Sequence, residues 1–176
     1  MVADAADEPV EVVDADGRVV DVVSRARMRA ERLRHRAVFV AVVSRDGRLL
    51  VHQRSHEKDV WPGWWDCAVG GVVAAGESWE DAAVRELAVE VGVVGVAPEA
   101  IDGGVVRGFE DATVALVGRC FRVVHDGPFH FADGEVLQAH FVDSAGLGAL
   151  LRRERFLPDS TALLLPLLPG FRPHTG

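Results

Sequence analysis

Two glutamates, Glu86 and Glu90, stand four residues apart in the stretch from residue 79 to residue 91. At about 100° per residue they fall one turn apart on a common helix face. Val84, Leu87 and Val91 are expected to form a separate apolar stripe, so that one face packs and the other reaches outward. Neighbouring carboxylates repel, and holding two of them together destabilises a helix unless a cation neutralises them. A hard divalent ion meets that need, because Mg²⁺ takes a few carboxylates and keeps positions for water and phosphate oxygens. Gly70 and Gly71, ahead of the helix, leave backbone groups free to approach a phosphate or a metal. Taken singly, Glu86 and Glu90 read as a solvated helix face with Arg85 as an ion-pair partner. The spacing of their neighbours separates the two readings.

The pattern Gly71-x5-Glu77-x7-Arg85-Glu86-Leu87-x-x-Glu90-x-Gly92-Val93 resembles the Nudix box, Gly-x5-Glu-x7-Arg-Glu-U-x-Glu-Glu-x-Gly-U, with U aliphatic. Eight of its nine specified positions match; average residue usage puts the chance of this on the order of 10⁻⁵. The resemblance implies an α+β fold, the Nudix α/β/α sandwich with a central mixed β-sheet and the box as a loop-helix-loop. It implies a pyrophosphohydrolase acting on acid anhydrides in phosphorus-containing compounds. The expected substrate is a small nucleoside diphosphate derivative or related organic pyrophosphate, cleaved by water attack at phosphorus. Among the matched positions, Glu86 and Glu90 are implied Mg²⁺ ligands, with Mn²⁺ able to substitute, and Glu77 contributes to the metal site through the loop or through water; Gly70, just ahead of the box, is taken as a further metal contact. Glu86 is also the implied base, and Arg85 orients it. A metal there would lower the pKa of bound water and screen the diphosphate charge.

Val89 departs from the box, which has a glutamate at that position. A valine cannot ligate, so the implied site is one carboxylate short. A compensating acid is sought at Glu110, Asp111 or Glu135, each of which also reads as a surface acid. The same departure leaves room for a noncatalytic Nudix-fold module that binds a ligand or partner.

Outside the box, His35-Arg36-Ala37, Gln53-Arg54-Ser55, Lys58, Trp61-Pro62-Gly63, Asp66 and Gly70-Gly71-Val72-Val73 look like the Nudix subgroup close to isopentenyl diphosphate isomerases. In those isomerases a catalytic cysteine follows Trp-Pro-Gly. An ungapped match puts Gly70 there, with Cys67 three residues earlier, and Val72 where a metal-binding histidine is required. Isomerase chemistry is therefore the remoter alternative.

Arg54 and Lys58 follow a strand and precede a Trp-rich loop, a position from which they either hold a diphosphate through charge-assisted hydrogen bonds or form surface ion pairs. Trp61, Trp64 and Trp65 either stack a nucleobase or pack, and Trp65 is taken as the substrate contact. His52, His56, His125, His130 and His140 show no common ligand spacing. Cys67 reads as a small buried hydrophobe.

These residues must be positioned by a scaffold whose signals are mostly local. Val10 to Val13 and Val19 to Val23 flank Asp16-Gly17, a hairpin turn. A helix is expected from Ser24 to about Leu33. Ala37 to Val43 and Leu49 to His52 form a second β pair, and an ordered loop over residues 55 to 66 enters a strand from Cys67 to Val73. Ser78 as N-cap, Asp81 completing a capping box and Gly92 as left-handed stop bound the helix that carries the box. Strands near Gly103 to Gly108, Ala112 to Val124 and Glu135 to Val142 follow, then a helix near residues 144 to 153 and one from Asp159 or Ser160 into Pro166. Lack of regular βαβ alternation favours a mixed sheet over a doubly wound parallel one.

The 176 residues suit one domain, expected over residues 10 to 176 behind a disordered tail at residues 1 to 9. A net charge of -8 speaks against a nucleic acid polymer as partner. Six arginines between Arg25 and Arg36 read as a solvated helix face. No apolar run approaches the ~20 residues of a membrane span, and no secretion signal is recognisable. Cys67 and Cys120 lack metal or redox spacing. The expectation is a cytoplasmic monomer or homodimer acting on a small-molecule diphosphate.

Overall fold

The computed structural model describes residues 5–131 and 134–171. In chain order the strands are β1 (Pro9–Val13), β2 (Val19–Ser24), β3 (His35–Val43), β4 (Leu49–Arg54), β5 (Trp65–Asp66), β6 (Val69–Val72), β7 (Glu99–Ala100), β8 (Arg107–Glu110), β9 (Ala115–Val124) and β10 (Val136–Val142). The helices are α1 (Arg25–Ala30), α2 (Trp79–Val91), α3 (Ser144–Arg153) and α4 (Pro158–Leu163). Strand β3 is the hub. It runs parallel to β9 from His35 to Val43, pairs antiparallel with β6 over Ala37 to Val40, and meets β4 at Val43. Strand β4 passes on to β10 and β5, while β1 and β2 extend the sheet from His35. The sheet is mixed, as the element order suggests.

The period-two alternation of β3 builds two cores, because successive side chains point to opposite faces. Val38, Val40 and Val42 join Ala83, Leu87 and Val91 of α2 on one face. Ala37, Phe39, Ala41 and Val43 join Leu147 and Leu150 of α3 and Leu163 of α4 on the other. Full burial of a Leu87-sized side chain contributes roughly 1.5–3 kcal/mol, and this is what holds α2 against the sheet. The result is an α/β/α sandwich. The expected apolar stripe needs one correction: Val84 is exposed and Ala83 takes its place. A residue three positions before Leu87 and one four positions before it flank the same face, and the sheet contacts the latter.

Helix α2 spans the expected residues. Ser78 Oγ accepts the Asp81 N–H at 3.0 Å, and Gly92 adopts the left-handed conformation at φ 69°. The Asp81 carboxylate returns to the Ser78 hydroxyl, at 2.7 Å, so the reciprocal half of the capping box uses the side chain.

Other boundaries differ. Helix α1 is shorter than expected, since Arg32 adopts the left-handed conformation at φ 50° and the Leu33 N–H returns to the Met28 carbonyl. The expected strand near Gly103 to Gly108 starts only at Arg107, because residues 101–103 close into a 3₁₀ turn. The expected tail is structured from Ala5 onward: Ala5–Asp7 forms a 3₁₀ turn, Pro9 already pairs with Ser24, and Arg25 holds Glu8 through a 3.0 Å ion pair and a backbone bond. Residues 1 to 4 of that tail lie outside the described residues.

Candidate active site

A cleft of about 650 Å³ opens between α1, the β6–α2 unit, the loop over residues 55–64 and the start of α4. Its wall at β6 depends on two glycines. A methyl group on Gly70 would strike the Val38 carbonyl, and one on Gly71 would strike the Glu86 carboxylate. The absence of side chains lets β6 lie against β3 and lets α2 press its carboxylates onto the strand. Glu86 is buried and Glu90 half-buried, both lining the cleft.

Arg85 ties the box together. Its Nε and Nη2 donate to the two Glu77 oxygens at 2.8 and 2.9 Å, Nη2 also to the Val72 carbonyl at 3.0 Å, and Nη1 to Glu86 Oε1 at 2.6 Å. Glu77 Oε2 in addition accepts the Ala74 N–H at 2.9 Å. Burial works upward on the Glu77 carboxyl, but the Arg85 fork and the Ala74 N–H prevail and keep it below its ordinary value. Glu86 goes the other way, raised by burial against the pull of Arg85. Glu90 has only the Gly70 N–H, at 3.3 Å, as a hydrogen-bond donor among the described residues. Burial, then the neighbouring charges of Glu86 and Asp66, push it up to about 8. Two carboxylates forced together in this way lower their free energy by sharing a cation.

Across the cleft, Lys58 forms an ion pair with Glu135, and Arg54 donates Nη2 to the Val60 carbonyl at 3.1 Å. Burial lowers the Lys58 pKa, opposed by Glu90. The loop bearing Lys58 is clipped to β4 by Gln53 Nε2 on the Gly63 carbonyl at 2.9 Å and by the Gly63 N–H on the Ser55 carbonyl at 3.1 Å.

The structure thus brings Glu77, Arg85, Glu86, Glu90, Gly70, Arg54, Lys58 and Glu135 into or beside one cleft. Other expected residues are elsewhere. Glu110 is held by Arg32 at 3.1 Å and Arg34 at 2.5 Å, and Asp111 caps a turn through the Thr113 and Val114 N–H groups; neither lines the cleft. Trp65 packs into the core against Phe156 and His140, because its place on β5 directs it into the α3/α4 layer; Trp61 is the tryptophan that lines the cleft. Val89, half-exposed, sits at the rim. Cys67 is sealed against Ser160 Oγ at 3.5 Å, and burial pushes its thiol up, which removes it as an acid–base group.

Three cleft residues were not singled out from the sequence. Arg25 and Arg29 were read as part of a solvated face, yet their four-residue spacing aims both at the cleft while Met28 anchors the helix. Asp159 was read only as a helix start. Its carboxylate is buried in the cleft wall and pushed up to about 7, by burial first and then by Asp66.

A mixed sheet between helical layers, with a carboxylate pair in the same cleft as Arg54 and Lys58, is an arrangement suited to handling a metal-bound phosphate group. Comparison with known proteins supplies the family. A model of the NUDIX domain matches residues 33–162. The Nudix hydrolase YfcD of Salmonella typhi is 38% identical over 160 residues, 91% of this chain and 84% of that protein. The Nudix hydrolase orf19 of Rhodococcus erythropolis is 33% identical over 173 residues, 90% of this chain and 91% of that protein. Among solved structures, DR0079 from Deinococcus radiodurans aligns with a TM-score of 0.65 at 23% identity, over 86% of this chain and 94% of its own. The NUDIX domain of Shewanella oneidensis NrtR, solved with ADP ribose, aligns with a TM-score of 0.57 at 20% identity, over 80% and 94%. At these identities the structures attest the fold. The chain belongs to the Nudix hydrolase family, whose enzymes act on pyrophosphate bonds and generally use a divalent metal.

Proposed function

We propose that this protein is a cytoplasmic Mg²⁺-dependent pyrophosphohydrolase, with Mn²⁺ able to substitute, that cleaves a small nucleoside diphosphate derivative or related organic pyrophosphate by water attack at phosphorus. The observation that carries the reading is the like-charged pair Glu86 and Glu90, held against Gly70 and Gly71 in the same cleft as Arg54 and Lys58. The donor set fits the ion. Two carboxylates and the Gly70 carbonyl are hard oxygen donors, and Mg²⁺ completes its shell with water and substrate phosphate rather than an all-protein cage. Among the described residues no group of three or more His, Cys, Asp or Glu side chains is arranged to hold a metal, so the proposed ion rests on the two carboxylates.

Bound there, the metal would lower the pKa of an attacking water and offset charge on the leaving phosphate. The chain's own groups supply the remainder. Glu86 takes the water proton at Oε2, since Oε1 is held by Arg85. Arg85 fixes that orientation and is itself fixed by Glu77, which serves the site by anchoring the guanidinium. Arg54 and Lys58 receive the diphosphate oxygens, Lys58 leaving Glu135 to do so. Val60 and Trp61 line the loop side of the cleft.

The test is a phosphate-release screen over nucleotide sugars, dinucleotides, ADP-ribose, coenzyme A and nucleoside triphosphates with Mg²⁺ or Mn²⁺, run beside Glu90→Gln. Substrate-dependent release that disappears in the variant supports the reading. Equal rates in both proteins refute the metal assignment, and no turnover across the panel leaves a binding module.

A further inference from the structure

Once the diphosphate site has been assembled, one largely buried cation in the cleft is held only by a single loose ion pair. Arg29, on α1, has a side chain only 25% exposed, and its five N–H donors make no hydrogen bond among the described residues. The nearest carboxylate oxygen, of Asp59, is 3.6 Å from Nε, on a side chain that is itself 66% exposed. Arg54 is in a similar position: its Nε is buried without a partner, and a single donor reaches the Val60 carbonyl. Buried polar groups are ordinarily satisfied, so two under-used guanidiniums in one cavity call for an explanation.

The surroundings specify what is missing. Arg25 and Arg54 add like charge around Arg29, and burial makes its charge harder to keep. The groups facing it are Asp59 at the rim, Asp159 in the wall and the buried His35. His35 is pushed down to about 4 by burial and is neutral, and Asp159, pushed up to about 7, is only partly ionised near neutrality. The protein therefore leaves the arginines incompletely countered. A planar guanidinium in this state is suited to a forked pair of hydrogen bonds to a phosphate or carboxylate. The cleft, at about 650 Å³, is in the range that accommodates a whole small ligand and not a diphosphate alone.

We propose that Arg29, with Arg54 shared between the two sites, forms a subsite for a further anionic group of the substrate, a phosphomonoester or carboxylate carried in addition to the diphosphate. The inference rests on the hydrolase reading for the substrate's identity, but the anion site stands on its own geometry. It narrows the substrate class to diphosphates bearing a third anionic group.

The experiment uses substrate pairs that differ by that group: NADPH against NADH and the 2′-phosphate of ADP-ribose against ADP-ribose for a phosphomonoester, and UDP-glucuronate against UDP-glucose for a carboxylate. A charged hydrogen-bond pair predicts a preference in kcat/KM of about 10- to 150-fold for the bearer of the extra anion in at least one pair. Arg29→Gln brings that ratio close to one, Arg29→Lys retains part of it, and Arg122→Gln, an exposed arginine on β9, leaves it unchanged. Circular dichroism verifies that each variant is folded. A ratio near one in the wild type for every pair, or one that persists in Arg29→Gln, overturns the subsite. A second measurement separates this failure from failure of the hydrolase reading: titration of metal-free protein with inorganic phosphate by calorimetry. Binding that survives Glu90→Gln and weakens at least tenfold in Arg29→Gln supports the subsite even where no diphosphate is hydrolysed. Binding absent from the wild type, or indifferent to Arg29, overturns it.

Discussion

Val89 and Asp159 show how much single positions decide. Val89 stands half-exposed at the rim of the cleft, one residue before Glu90, where the box has a further acid. Because the position has room, Val89→Glu should add a ligand without repacking and lower the Mg²⁺ concentration for half-maximal activity about tenfold, the equivalent of ~1.4 kcal/mol. Metal titration of phosphate release checks this, and an unchanged or higher requirement would place Val89 outside the metal site. Asp159 yields a prediction about pH. Its carboxyl lies at about 7 in the fold against roughly 4 in the unfolded chain, so folding favours the neutral form. Its contribution to stability is complete below pH 4 and is lost as pH rises through 7. Asp159→Asn should therefore flatten the decline in Tm between pH 5 and pH 8, by on the order of a few °C. Parallel melting profiles for the two proteins would contradict the assignment. The departure at Val89 was legible from the box, although its place at the rim is known only once α2 is docked; the role of Asp159 was not, since it lies far from the box and looks like an ordinary helix start.

At the scale of elements, the contact between β6 and α2 is the critical one. Gly70 faces a backbone carbonyl and Gly71 a carboxylate, so the same substitution should give two different failures. Gly71→Ala pushes the Glu86 carboxylate out of its Arg85 pairing and is expected to reduce kcat/KM by roughly 10²-fold, as a misplacement of about 1 Å does, with a smaller loss of Tm than Gly70→Ala because a side chain rather than a backbone carbonyl gives way. Gly70→Ala meets the rigid Val38 carbonyl and should destabilise by about 1–3 kcal/mol. Thermal melts and kinetics on the two variants test the contrast, which fails if both lose stability alike. The legibility of the elements follows the same division. Helix α2 was readable because its signals are local, a Ser78 cap, a Gly92 stop and the intervening periodicity. The edges of α1 and β8 were not, since α1 ends where Leu33 returns to Met28 and β8 begins where a 3₁₀ turn releases the chain to pair with β9.

At the scale of the whole molecule, the metal and the fold are linked. A ligand that binds only the folded state stabilises it by mass action, about 2.7 kcal/mol at a hundredfold excess over Kd. For a chain of this size that is roughly 5–10 °C in Tm. Raising Mg²⁺ should raise the melting temperature progressively in the wild type and not in Glu90→Gln; a shift of equal size in the variant would move the ion elsewhere. The sequence by itself determined the family, the α2 helix, the β segment from Ala37 to Val43, and the acids and glycines of the box, because each is encoded by composition or spacing within one element. Only the tertiary structure decided which of the remaining charged and aromatic residues meet the cleft. It withdrew Trp65, Glu110 and Asp111, placed Trp61 of the three candidate tryptophans at the cleft, and brought in Arg25, Arg29 and Asp159. Those placements depend on how α1, β4, β6 and α4 converge from distant parts of the chain, and the direction of a side chain across such a gap is set by packing, which no local pattern records.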